Sequence, residues 1–317
     1  MKPLPVEEAQ MRLLALRAPL QSENMDFFQS IGRYLCDPVT AIRDQPSAAL
    51  SAMDGFAIRF SDLPGPWSIS GEVSAGSVPQ APLRAGDAMR IFTGAMLPEN
   101  ADTVLIQENA ATHGTALHLT GAAPATRGAN VRRRASDFAA GDLLLEAGTR
   151  LTPGAIAAAI MSGAEHLTVG RRPRVAILTT GDELVRPGHR PAPGQIPDSN
   201  GLMLAAMLAG EPAEVGLPLH TRDDGAMIGR ILRELAERHD VIVTVGGASV
   251  GDHDHVVHAL ETAGGRVDFW KVAMKPGKPL IAGAIGDAVL LGLPGNPASA
   301  FVTATLFLLP LVRHLAG

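Results

Sequence analysis

One short run of residues constrains the fold more than any other part of the chain. Val241–Val245 reads Val-Ile-Val-Thr-Val, and all five residues are β-branched. Such a run predicts a short strand buried on both faces, as in the interior of a parallel sheet. The chain then turns at Gly246 and Gly247 and resumes a helical pattern from about Val256. A strand that ends in a glycine turn offers backbone N–H groups to an anion, with the Ser249 hydroxyl as a further donor; an ordinary strand-to-helix turn is the alternative.

Two further loops have chemistry suited to an anion. The loop 274–279, Met-Lys-Pro-Gly-Lys-Pro, uses two prolines to fix the backbone from which two lysines project. In the loop 293–299, Leu-Pro-Gly-Asn-Pro-Ala-Ser, Asn296 suits an N-cap and Pro297 the first helical position. A helix N-terminus with partial positive charge is therefore expected there. Because loops at the carboxyl ends of strands line one crevice in an open α/β sheet, the three loops predict a pocket for an anion or a phosphate.

Composition limits the class of protein. A chain of 317 residues has room for two or three domains. Its net charge of -5 argues against a nucleic-acid partner, and the local basic runs at 132–134 and 171–172 suit a small anionic ligand better. The single cysteine, Cys36, excludes an intrachain disulfide and a thiolate zinc cluster. The N-terminus has no signal-peptide pattern and the longest apolar run, around 304–312, is too short to span a bilayer, so we expect a soluble cytoplasmic protein with no membrane partner.

Helical patterns flank a central β pattern. Residues 6–20 and 27–35 have near-helical apolar spacing, which predicts two helices that end before Pro38. Short apolar runs separated by Gly, Pro and Asn follow, and a strand and a helix come after them. This order predicts a discontinuous helical and mixed domain made of 1–44 and 138–170, with a β-rich domain at 45–137 inserted into it.

From residue 171 to 317, strands and helices alternate. Strands are predicted at 175–178, 215–219 and 241–245, and helices at 202–208 and 228–235. Alternation of this kind predicts an open, mainly parallel sheet with crossover helices. The predicted fold class is therefore α/β, in a multi-domain chain.

Polar motifs in this region mark candidate sites, and each has a plainer alternative. The stretch 180–183 sets two carboxylates where a strand ends, although a solvated turn has the same composition. Capping of a helix alone could explain the stretch 197–200, Pro-Asp-Ser-Asn. The pair at 223–224 could be an N-cap and a first-turn acid that favours the helix dipole. The cluster 252–255, Asp-His-Asp-His, lacks a zinc spacing, so Asp254 is expected as an oxygen ligand of Mg²⁺ rather than as part of a transition-metal site.

The predicted β-rich domain has its own polar motifs. Residues 51–57, Ser-Ala-Met-Asp-Gly-Phe-Ala, place a carboxylate beside a glycine. A strand at 91–95 ends with Thr93 and a glycine, and the arginine run 132–134 precedes Asp137. A solvated basic face is the alternative for the arginine run.

In this order and over nearly the whole chain, these motifs resemble the molybdopterin molybdenumtransferase family, which includes MoeA and the gephyrin E domain. The motifs are Ser-Ala-Met-Asp-Gly-Phe-Ala, Thr-Gly-Ala, Val-Arg-Arg-Arg, Thr-Gly-Asp-Glu-Leu, Gly-Gly-Ala-Ser-Val-Gly-Asp-His-Asp, Phe-Trp-Lys-Val-Ala-Met-Lys-Pro-Gly-Lys-Pro and Leu-Pro-Gly-Asn-Pro-Ala-Ser. The resemblance implies a molybdopterin-binding α/β domain that inserts molybdenum from molybdate into adenylylated molybdopterin, releases AMP and leaves molybdenum cofactor, assisted by Mg²⁺. It also implies a small-molecule pterin substrate, a homodimer with composite active sites and a molybdopterin adenylyltransferase as partner protein.

Carried over residue by residue, the resemblance implies two sets of site residues. The catalytic set would be Asp54, Asp137, Glu183, Asp254, Lys271 and Lys275, with Asp254 as the Mg²⁺ ligand. The substrate-binding set would be Thr93, Arg132, Thr180, Gly181, Asp182, Ser199, Asn200, Asp223, Gly246, Gly247, Ser249, Gly251, Lys278, Pro294, Gly295, Asn296, Pro297 and Ser299. Lys275, Lys278 and Ser299 are expected nearest the molybdate.

The chain also departs from the pattern it resembles. His255, Ala248 and Gly201 stand where an aromatic residue, a valine and an arginine are common. Family members usually continue into a small C-terminal β-domain, whereas this sequence ends at Gly317. Two alternatives to the transferase stay open: a non-catalytic molybdopterin-binding carrier or regulator, and a phosphatase-like hydrolase acting on an unrelated nucleotide.

Overall fold

A computed structural model of the chain describes residues 3–246, 255–276 and 279–317. Within these residues the helices are α1 Val6–Ala15, α2 Phe27–Ser30, α3 Pro153–Ser162, α4 Asn200–Leu208, α5 Gly225–Ala236, α6 His255–Thr262, α7 Pro297–Thr303 and α8 Leu309–Leu315. The strands up to residue 145 are β1 Ser22–Met25, β2 Val39–Thr40, β3 Leu50–Ser51, β4 Gly55–Ile58, β5 Trp67–Val73, β6 Asp87–Ile91, β7 Thr103–Ile106, β8 Ala110–His113, β9 Ala116–Leu119, β10 Val131–Arg132 and β11 Leu143–Leu145. The later strands are β12 Leu167–Gly170, β13 Arg174–Thr180, β14 Leu184–Val185, β15 Ile196–Pro197, β16 Glu214–Val215, β17 Leu219–Thr221, β18 Val241–Val245, β19 Arg266–Lys271, β20 Pro279–Ile285 and β21 Ala288–Leu293.

The chain divides into two compact units. The α/β unit comprises Met1–Asp37, Glu146–Ile156 and His166–Gly317, and the β-rich unit comprises Pro38–Leu145 and Ala157–Glu165. Three domains were expected from the sequence, with boundaries near 45, 138 and 171. That finer division stays a prediction.

The α/β unit is built on a seven-stranded sheet in the order β16-β13-β18-β21-β20-β19, in which β17 also pairs with β13. Strands β16, β17, β18 and β21 are parallel to β13 or to each other, whereas β20 is antiparallel to both of its neighbours. β19 therefore runs in the same direction as β21. Within this sheet only β20 runs against the other described strands, so the prediction of an open, mainly parallel sheet is confirmed.

Helices cover both faces of this sheet because successive residues of its central strands point into two different cores. Val241, Val243 and Val245 pack with α1, α4, α7 and α8, whereas Ile242 packs with α5 and α6. All five residues of β18 are buried, as predicted for a strand covered on both sides. A slip of one residue would exchange the two faces. The register of β18, and with it the position of Gly246, is therefore set by packing.

The C-terminal helices form one run, Pro297–Leu315, in which a π-helical turn at Ala304–Leu308 joins α7 to α8. Pro310 has no N–H for the Leu306 carbonyl, and the Gln10 side chain of α1 donates to that oxygen at 2.7 Å instead. The run has 19 residues and a mean hydropathy of 1.5, a length and composition that membrane spans share with core helices of soluble proteins. Of its apolar window, 44% is buried, and the buried residues belong to the core of the α/β unit.

The β-rich unit contains a six-stranded sheet in the order β7-β4-β6-β5-β9-β8. β4 is antiparallel to β6 and β7 on either side, and β5 is parallel to β6. Phe56 and Ile58 face a core that includes Trp67, whereas Ala57 faces a second core with Val104. The strand β4, which follows directly from Asp54, is thus held on both sides and on both faces.

Three sequence-based predictions of secondary structure need correction. The helix expected at 27–35 is a single turn, α2, because Gly32 takes φ +76° and its N–H then bonds to the Leu151 carbonyl. The strand expected at 215–219 is divided into β16 and β17, since Pro218 offers no N–H to a ladder. The acid expected in the first turn of α5 is its N-cap: Asp224 accepts from the N–H groups of residues 226 and 227.

Candidate active site

The carboxyl edge of the main sheet gathers the loops that the sequence singles out. β13, β18 and β21 are neighbouring parallel strands that end at Thr180, Val245 and Leu293. β19 ends at Lys271 on the same edge, and β20, which starts at Pro279, is antiparallel to it. The segments that follow β13, β18, β19 and β21 therefore all start at this edge of the sheet. The predicted site residues Gly247, Ser249, Gly251, Asp254 and Lys278 lie outside the described residues.

Gly246 lets the loops after β13 and β18 approach each other through their backbones. Gly246 has φ +96°, and a Cβ at this position would lie 2.2 Å from the Thr180 carbonyl oxygen. A Cβ at Gly295 would lie 3.6 Å from the Gly246 Cα. Glycine at 246 is therefore required both by its own conformation and by the neighbouring main chain. This part of the crevice is walled by backbone, as the approach of an anion to the main chain needs.

Three buried oxygens at this edge have no hydrogen-bond partner among the described residues. They are Thr180 Oγ1, Asn200 Oδ1 and Asp223 Oδ1. The Asn200 amide donates to the Gly295 carbonyl at 2.7 Å, so only its oxygen is left over. A buried polar atom without a partner costs about 1–3 kcal/mol, and such atoms in a native fold are commonly completed by water, an ion or a ligand. Their location indicates a binding edge.

Asp198, in the stretch for which helix capping was the alternative, holds the N-terminus of α4. Asp198 is buried, and it accepts from the Thr179 hydroxyl at 2.6 Å and from the Gly201 N–H at 3.2 Å. Ser199 is the formal N-cap but makes no side-chain cap bond. A Cβ at Gly201 would lie 2.9 Å from the Pro218 Cβ, so this chain has no room there for the arginine that the resembling family often carries.

The acidic pair after β13 remains open to solvent. Asp182 and Glu183 are exposed, and neither forms an ion pair with another described residue. The Glu183 carboxylate lies over Gly181, where a Cβ would come within 2.7 Å of its Oε2. Gly181 has φ +152°, which favours glycine at this position. Both carboxylates are therefore available for a ligand.

The lysines of the site have no carboxylate partner among the described residues. Lys271 ends β19, and its Nζ lies 4.5 Å from the centre of the Trp270 ring. Lys275 is exposed on the loop that follows. Two unpaired ammonium groups on one hairpin raise the local positive potential in a protein whose net charge is negative.

The N-terminus of α7 follows the prediction made from the sequence. Pro294 is buried, Asn296 is the N-cap and Pro297 is the first helical residue. The Asn296 side chain accepts from the Ser299 N–H at 3.1 Å, so that amide is already used by the cap. The Ser299 hydroxyl takes no part in this cap bond.

A second set of predicted residues lies in the β-rich unit. Asp54 Oδ1 accepts from both the N–H and the hydroxyl of Thr93, each at 2.8 Å. These two bonds hold the pKa of Asp54 below its ordinary value, and Arg90 lowers it further. Asp54 is therefore ionised at neutral pH and can only accept hydrogen bonds.

Backbone pairing around β3 brings together the three motifs of the β-rich unit. Ser51 accepts from the Gly94 N–H and donates to the Ala95 carbonyl, both at 2.8 Å. On its other side β3 pairs with β10, which carries Arg132. Arg132 and Asp137 form an ion pair at 2.8 Å with both side chains about half exposed. The Asp54–Thr93 pair and the Arg132–Asp137 pair share no hydrogen bond with each other among the described residues.

Sequence reasoning missed Arg90, a residue built into the support of Asp54. Its guanidinium lies 5.1 Å from the ring centres of both Phe56 and Phe92. It donates to the Gln107 side chain at 2.7 Å and to the Gly55 carbonyl at 3.3 Å. Arg90 is the last but one residue of β6, and the two rings come from β4 and from the residue after β6, so no spacing in the sequence marks this arrangement.

A cavity of about 470 Å³, called here the α4 cavity, opens beside the N-terminus of α4. Residues from three segments line it, among them Arg186, His189, Asp198, Leu202, Leu217 and His220. Neither the arginine nor the two histidines of this group were predicted as site residues. Arg186 and His189 stand in a loop rich in proline, where periodicity carries no signal, and His220 lies in the three-residue strand β17.

These features define an α/β protein whose main sheet presents a partly unsatisfied, lysine-bearing carboxyl edge, together with a β-rich unit that holds an ionised aspartate. Comparison with known proteins agrees with this class. Residues 4–163 match the MoeA N-terminal region (domain I and II), and residues 176–314 match the probable molybdopterin binding domain. The chain therefore belongs to the MoeA family of molybdenum cofactor biosynthesis proteins.

Individual relatives support the same assignment. A molybdopterin molybdenumtransferase from Nostoc sp. is 38% identical over 93% of this chain and 70% of its own length. A molybdopterin molybdenumtransferase from Haemophilus influenzae is 35% identical over 99% of this chain and 78% of its own length. The crystal structure of a molybdopterin biosynthesis MoeA protein from Pyrococcus horikoshii is 31% identical, with a TM-score of 0.82 over 100% of this chain and 81% of that one.

Proposed function

We propose that this chain inserts molybdenum from molybdate into adenylylated molybdopterin, with release of AMP and formation of molybdenum cofactor. The observation that carries the proposal is the carboxyl edge of the main sheet. One edge of the described sheet carries three kinds of group: glycine backbone, two lysines without carboxylate partners and three buried oxygens without hydrogen-bond partners. Molybdate, the pterin phosphate and the adenylate are anions, which suit such an edge.

Within the α/β unit, cationic and backbone groups would bind and orient the two substrates. Lys271 and Lys275 supply positive charge. This charge would stabilise the negative charge that develops as the phosphoanhydride is cleaved. Ser299 offers a hydroxyl near the start of α7, and Glu183 offers an exposed carboxylate at the end of β13. Lys275, Lys278 and Ser299 are the residues we assign nearest the molybdate.

The β-rich unit would contribute the second half of the site. Because Asp54 is ionised and can only accept hydrogen bonds, its partner on the substrate should be an N–H or O–H group rather than a phosphate. Thr93 keeps that carboxylate oriented through two hydrogen bonds. Arg132, paired with Asp137 at about half exposure, is the group in this unit suited to an anionic part of the ligand.

We propose Mg²⁺ as the assisting metal, with Asp254 as its ligand. Asp254 lies outside the described residues, and the described residues contain no cluster of three metal-binding side chains. Among described groups, the buried Asp223 Oδ1 at the same edge is an oxygen of the type that Mg²⁺ prefers. When bound, the ion would neutralise charge on the phosphoanhydride.

The working unit we propose is a homodimer in which each site takes residues from two chains. The predicted residues are divided between two compact units, so one chain need not present both sets to the same ligand. Exposed apolar side chains are available for a subunit contact: Phe28 is 84% exposed and Ile31 49% in the α/β unit, and Ile160 is 46% exposed in the β-rich unit. Contacts between subunits would bury such residues.

The proposed setting follows from the substrate. A molybdopterin adenylyltransferase would supply the adenylylated pterin, and the reaction would take place in the cytoplasm. A non-catalytic carrier would bind the same pterin without turnover. Binding without AMP release would therefore favour the carrier over the transferase.

The direct test is AMP release from adenylylated molybdopterin, measured by chromatography with and without molybdate. We expect molybdate-dependent release, and Lys275→Ala should lower kcat/KM by about 10- to 100-fold, since a hydrogen bond to a charged group is worth about 1.5–3 kcal/mol. Lys2, which belongs to no predicted set, provides a matched control as Lys2→Ala. Release that does not depend on molybdate would contradict the proposal.

The composite site has a separate test. Asp54→Ala and Lys275→Ala chains, each with strongly reduced activity alone, are mixed under conditions that allow subunit exchange. Shared sites should restore about a quarter to a half of wild-type AMP release, because heterodimers then carry one intact site. A monomer by light scattering at micromolar concentration, or no recovery after exchange of folded subunits, would rule out the shared site.

A further inference from the structure

Another cavity, of about 480 Å³ and called here the Arg59 cavity, has all its lining residues in the β-rich unit. These residues are Arg59, Phe60, Ser61, Asn100, Asp102 and Arg127. Arg59 directly follows β4 and Asp102 directly precedes β7, and the two strands pair in antiparallel register with Ile58 opposite Thr103. The cavity therefore lies at the opposite end of β4 from Asp54, about 16 Å along the strand. None of its lining residues belongs to the site assigned above.

Asp102 is the carboxylate among the described lining residues, and groups of the protein already bind it. Its Oδ1 accepts from the Phe60 N–H at 2.8 Å and from the Thr103 hydroxyl at 3.0 Å. Its Oδ2 accepts from Arg127 Nε at 2.7 Å. Asp102 therefore supports the cavity wall and holds Arg127 in place, because both of its oxygens are used within the protein.

The two arginines keep most of their N–H donors for a ligand. Arg59 Nε lies 3.9 Å from Asp62 Oδ2, which is too far for a hydrogen bond. The Asp62 carboxylate instead accepts from the Ser61 hydroxyl at 3.1 Å and from the Gly86 N–H at 2.9 Å. Arg127 uses only its Nε in an ion pair, so the N–H groups of its two terminal nitrogens bond to no other described residue. Donors without acceptors on both arginines favour an oxyanion as the ligand.

Asn100 adds a further polar side chain to the same wall. Its φ is +69°, a backbone conformation that asparagine adopts more readily than most residues with a side chain. The Asn100 amide forms no hydrogen bond with another described residue. The fold therefore brings together, from positions 59, 100 and 127, three groups that can donate hydrogen bonds to one ligand.

We propose that the Arg59 cavity binds a phosphate group between the guanidinium groups of Arg59 and Arg127, either as free phosphate or as part of a phosphorylated metabolite. A guanidinium fork matches two oxygens of a phosphate or of a carboxylate. A carboxylate has only these two oxygens, whereas a tetrahedral phosphate has others that a second fork can bind. The cavity volume is within the size range of small-ligand sites, so it also has room for the rest of a metabolite. This assignment does not depend on the proposed function.

The test is an NMR titration of the isotope-labelled full-length protein with inorganic phosphate and, separately, with glycerol phosphate. The signals to follow are the backbone amides of Ser61 and Asn100 and the Nε–Hε groups of Arg59 and Arg127. These signals report binding at the Arg59 cavity and not at the main sheet of the α/β unit. We expect saturable shifts with both compounds. Glycerol phosphate binding at least as tightly as inorganic phosphate would identify a phosphorylated metabolite as the ligand, and tighter inorganic phosphate would identify the free ion.

Matched variants separate the two arginines from general charge effects. Arg59→Gln and Arg127→Gln should each raise the Kd of phosphate about 5- to 10-fold, as expected for the loss of a partly exposed charged contact. Because Arg127 is 76% exposed, its replacement should leave the signals of residues outside the cavity unchanged. Arg84→Gln is the control, since Arg84 is an exposed arginine of the same unit that does not line the cavity. Lys275→Ala, in the other unit, should also keep the wild-type Kd at these signals.

Three results would overturn the assignment. The first is the absence of saturable shifts with either phosphate compound. The second is an unchanged Kd in both Arg59→Gln and Arg127→Gln, or an equal rise in Arg84→Gln, which would show an effect of net charge alone. The third is acetate binding as tightly as phosphate. The expected shifts in a protein that releases no AMP from adenylylated molybdopterin would contradict the proposed function and leave the cavity assignment standing.

Discussion

Asp240 offers a prediction whose magnitude can be worked from the structure. It lies directly before β18 with its side chain 2% exposed, and it accepts from Arg171 at 2.8 Å and from the Arg174 backbone N–H at 2.8 Å. Arg17 approaches the same carboxylate at 3.2 Å. Its backbone also binds the neighbouring strands, since its N–H donates to Arg174 and its carbonyl accepts from Val289. Through its carboxylate and its backbone, this one residue therefore joins the amino ends of three strands.

The Asp240→Ala substitution should be severe. Removal of one partner of a buried ion pair costs about 3–5 kcal/mol, because the opposite charges lose their partner. The guanidinium side chains are 23–46% exposed and can regain part of their hydration, so we expect the lower end of that range. For a domain of 150–250 residues this corresponds to a fall in Tm of roughly 6–15 °C. Asp240→Asn keeps the shape and should lose about half as much.

The measurement is urea unfolding followed by circular dichroism, with a scan of Tm beside it. Asp268→Ala is the matched control, since Arg12 and Asp268 form an ion pair at 2.9 Å with side chains 40% and 29% exposed. An exposed pair of this kind contributes at most about 1 kcal/mol. Equal destabilisation by Asp240→Ala and Asp268→Ala, or a loss below about 1 kcal/mol in the first, would refute the reasoning.

The effect should also depend on pH in a defined direction. Burial raises the pKa of Asp240, but Arg171, the Arg174 N–H and Arg17 together outweigh it and leave the pKa below its ordinary value of 3.8. A carboxyl whose pKa is lowered in the folded state stabilises the fold above its unfolded pKa and loses this contribution as the pH falls through the folded value. The stability difference between wild type and Asp240→Asn should therefore stay constant at neutral pH and shrink below about pH 4.

Two further predictions concern the site itself. Arg90→Gln should raise the pKa of Asp54, because it removes a nearby positive charge. The measurement is carbon NMR of the carboxylate, with Arg59→Gln in the same unit as the control. An unchanged pKa of Asp54 in Arg90→Gln would contradict this role for Arg90. Gly246→Ala should destabilise the fold by about 1–3 kcal/mol or more, since the new Cβ would lie 2.2 Å from the Thr180 carbonyl oxygen. Gly210→Ala is the control, because its Cβ would meet no atom within 4 Å. Equal unfolding midpoints for the two variants would show that the loop at Gly246 adjusts without cost.

The parts of the fold that follow from local sequence were predictable. The β-branched run before Gly246 could only be satisfied in a strand covered on both faces, and this is where β18 lies. Asn296 and Pro297 suit a helix start wherever they stand together, and α7 begins there. The shared edge of the loops followed from the parallel sheet alone.

The parts of the fold and of the site that were not predicted depend on contacts between residues far apart in the chain. Phe27 and Leu35 have helical spacing, yet the segment between them bonds to residues 149–151 once Gly32 ends the first turn. The roles of Arg90 and Asp240 arise from side chains brought together by the sheets, and no spacing in the sequence marks them. Long-range contacts of this kind override local propensity.

The two ends of the main sheet differ in how far the protein satisfies its own polar groups. At the amino end, the Asp240 carboxylate is bound by arginines and a backbone amide. At the carboxyl end, Thr180, Asn200 and Asp223 each keep a buried oxygen without a partner among the described residues. A ligand that completes these oxygens binds the folded state alone, so by mass action it should raise the free energy of unfolding by about 2.7 kcal/mol at a hundredfold excess over Kd, and Tm should rise with it. Stability lost at the carboxyl edge would thus be recovered on binding, while the amino edge keeps the strands in register without a ligand.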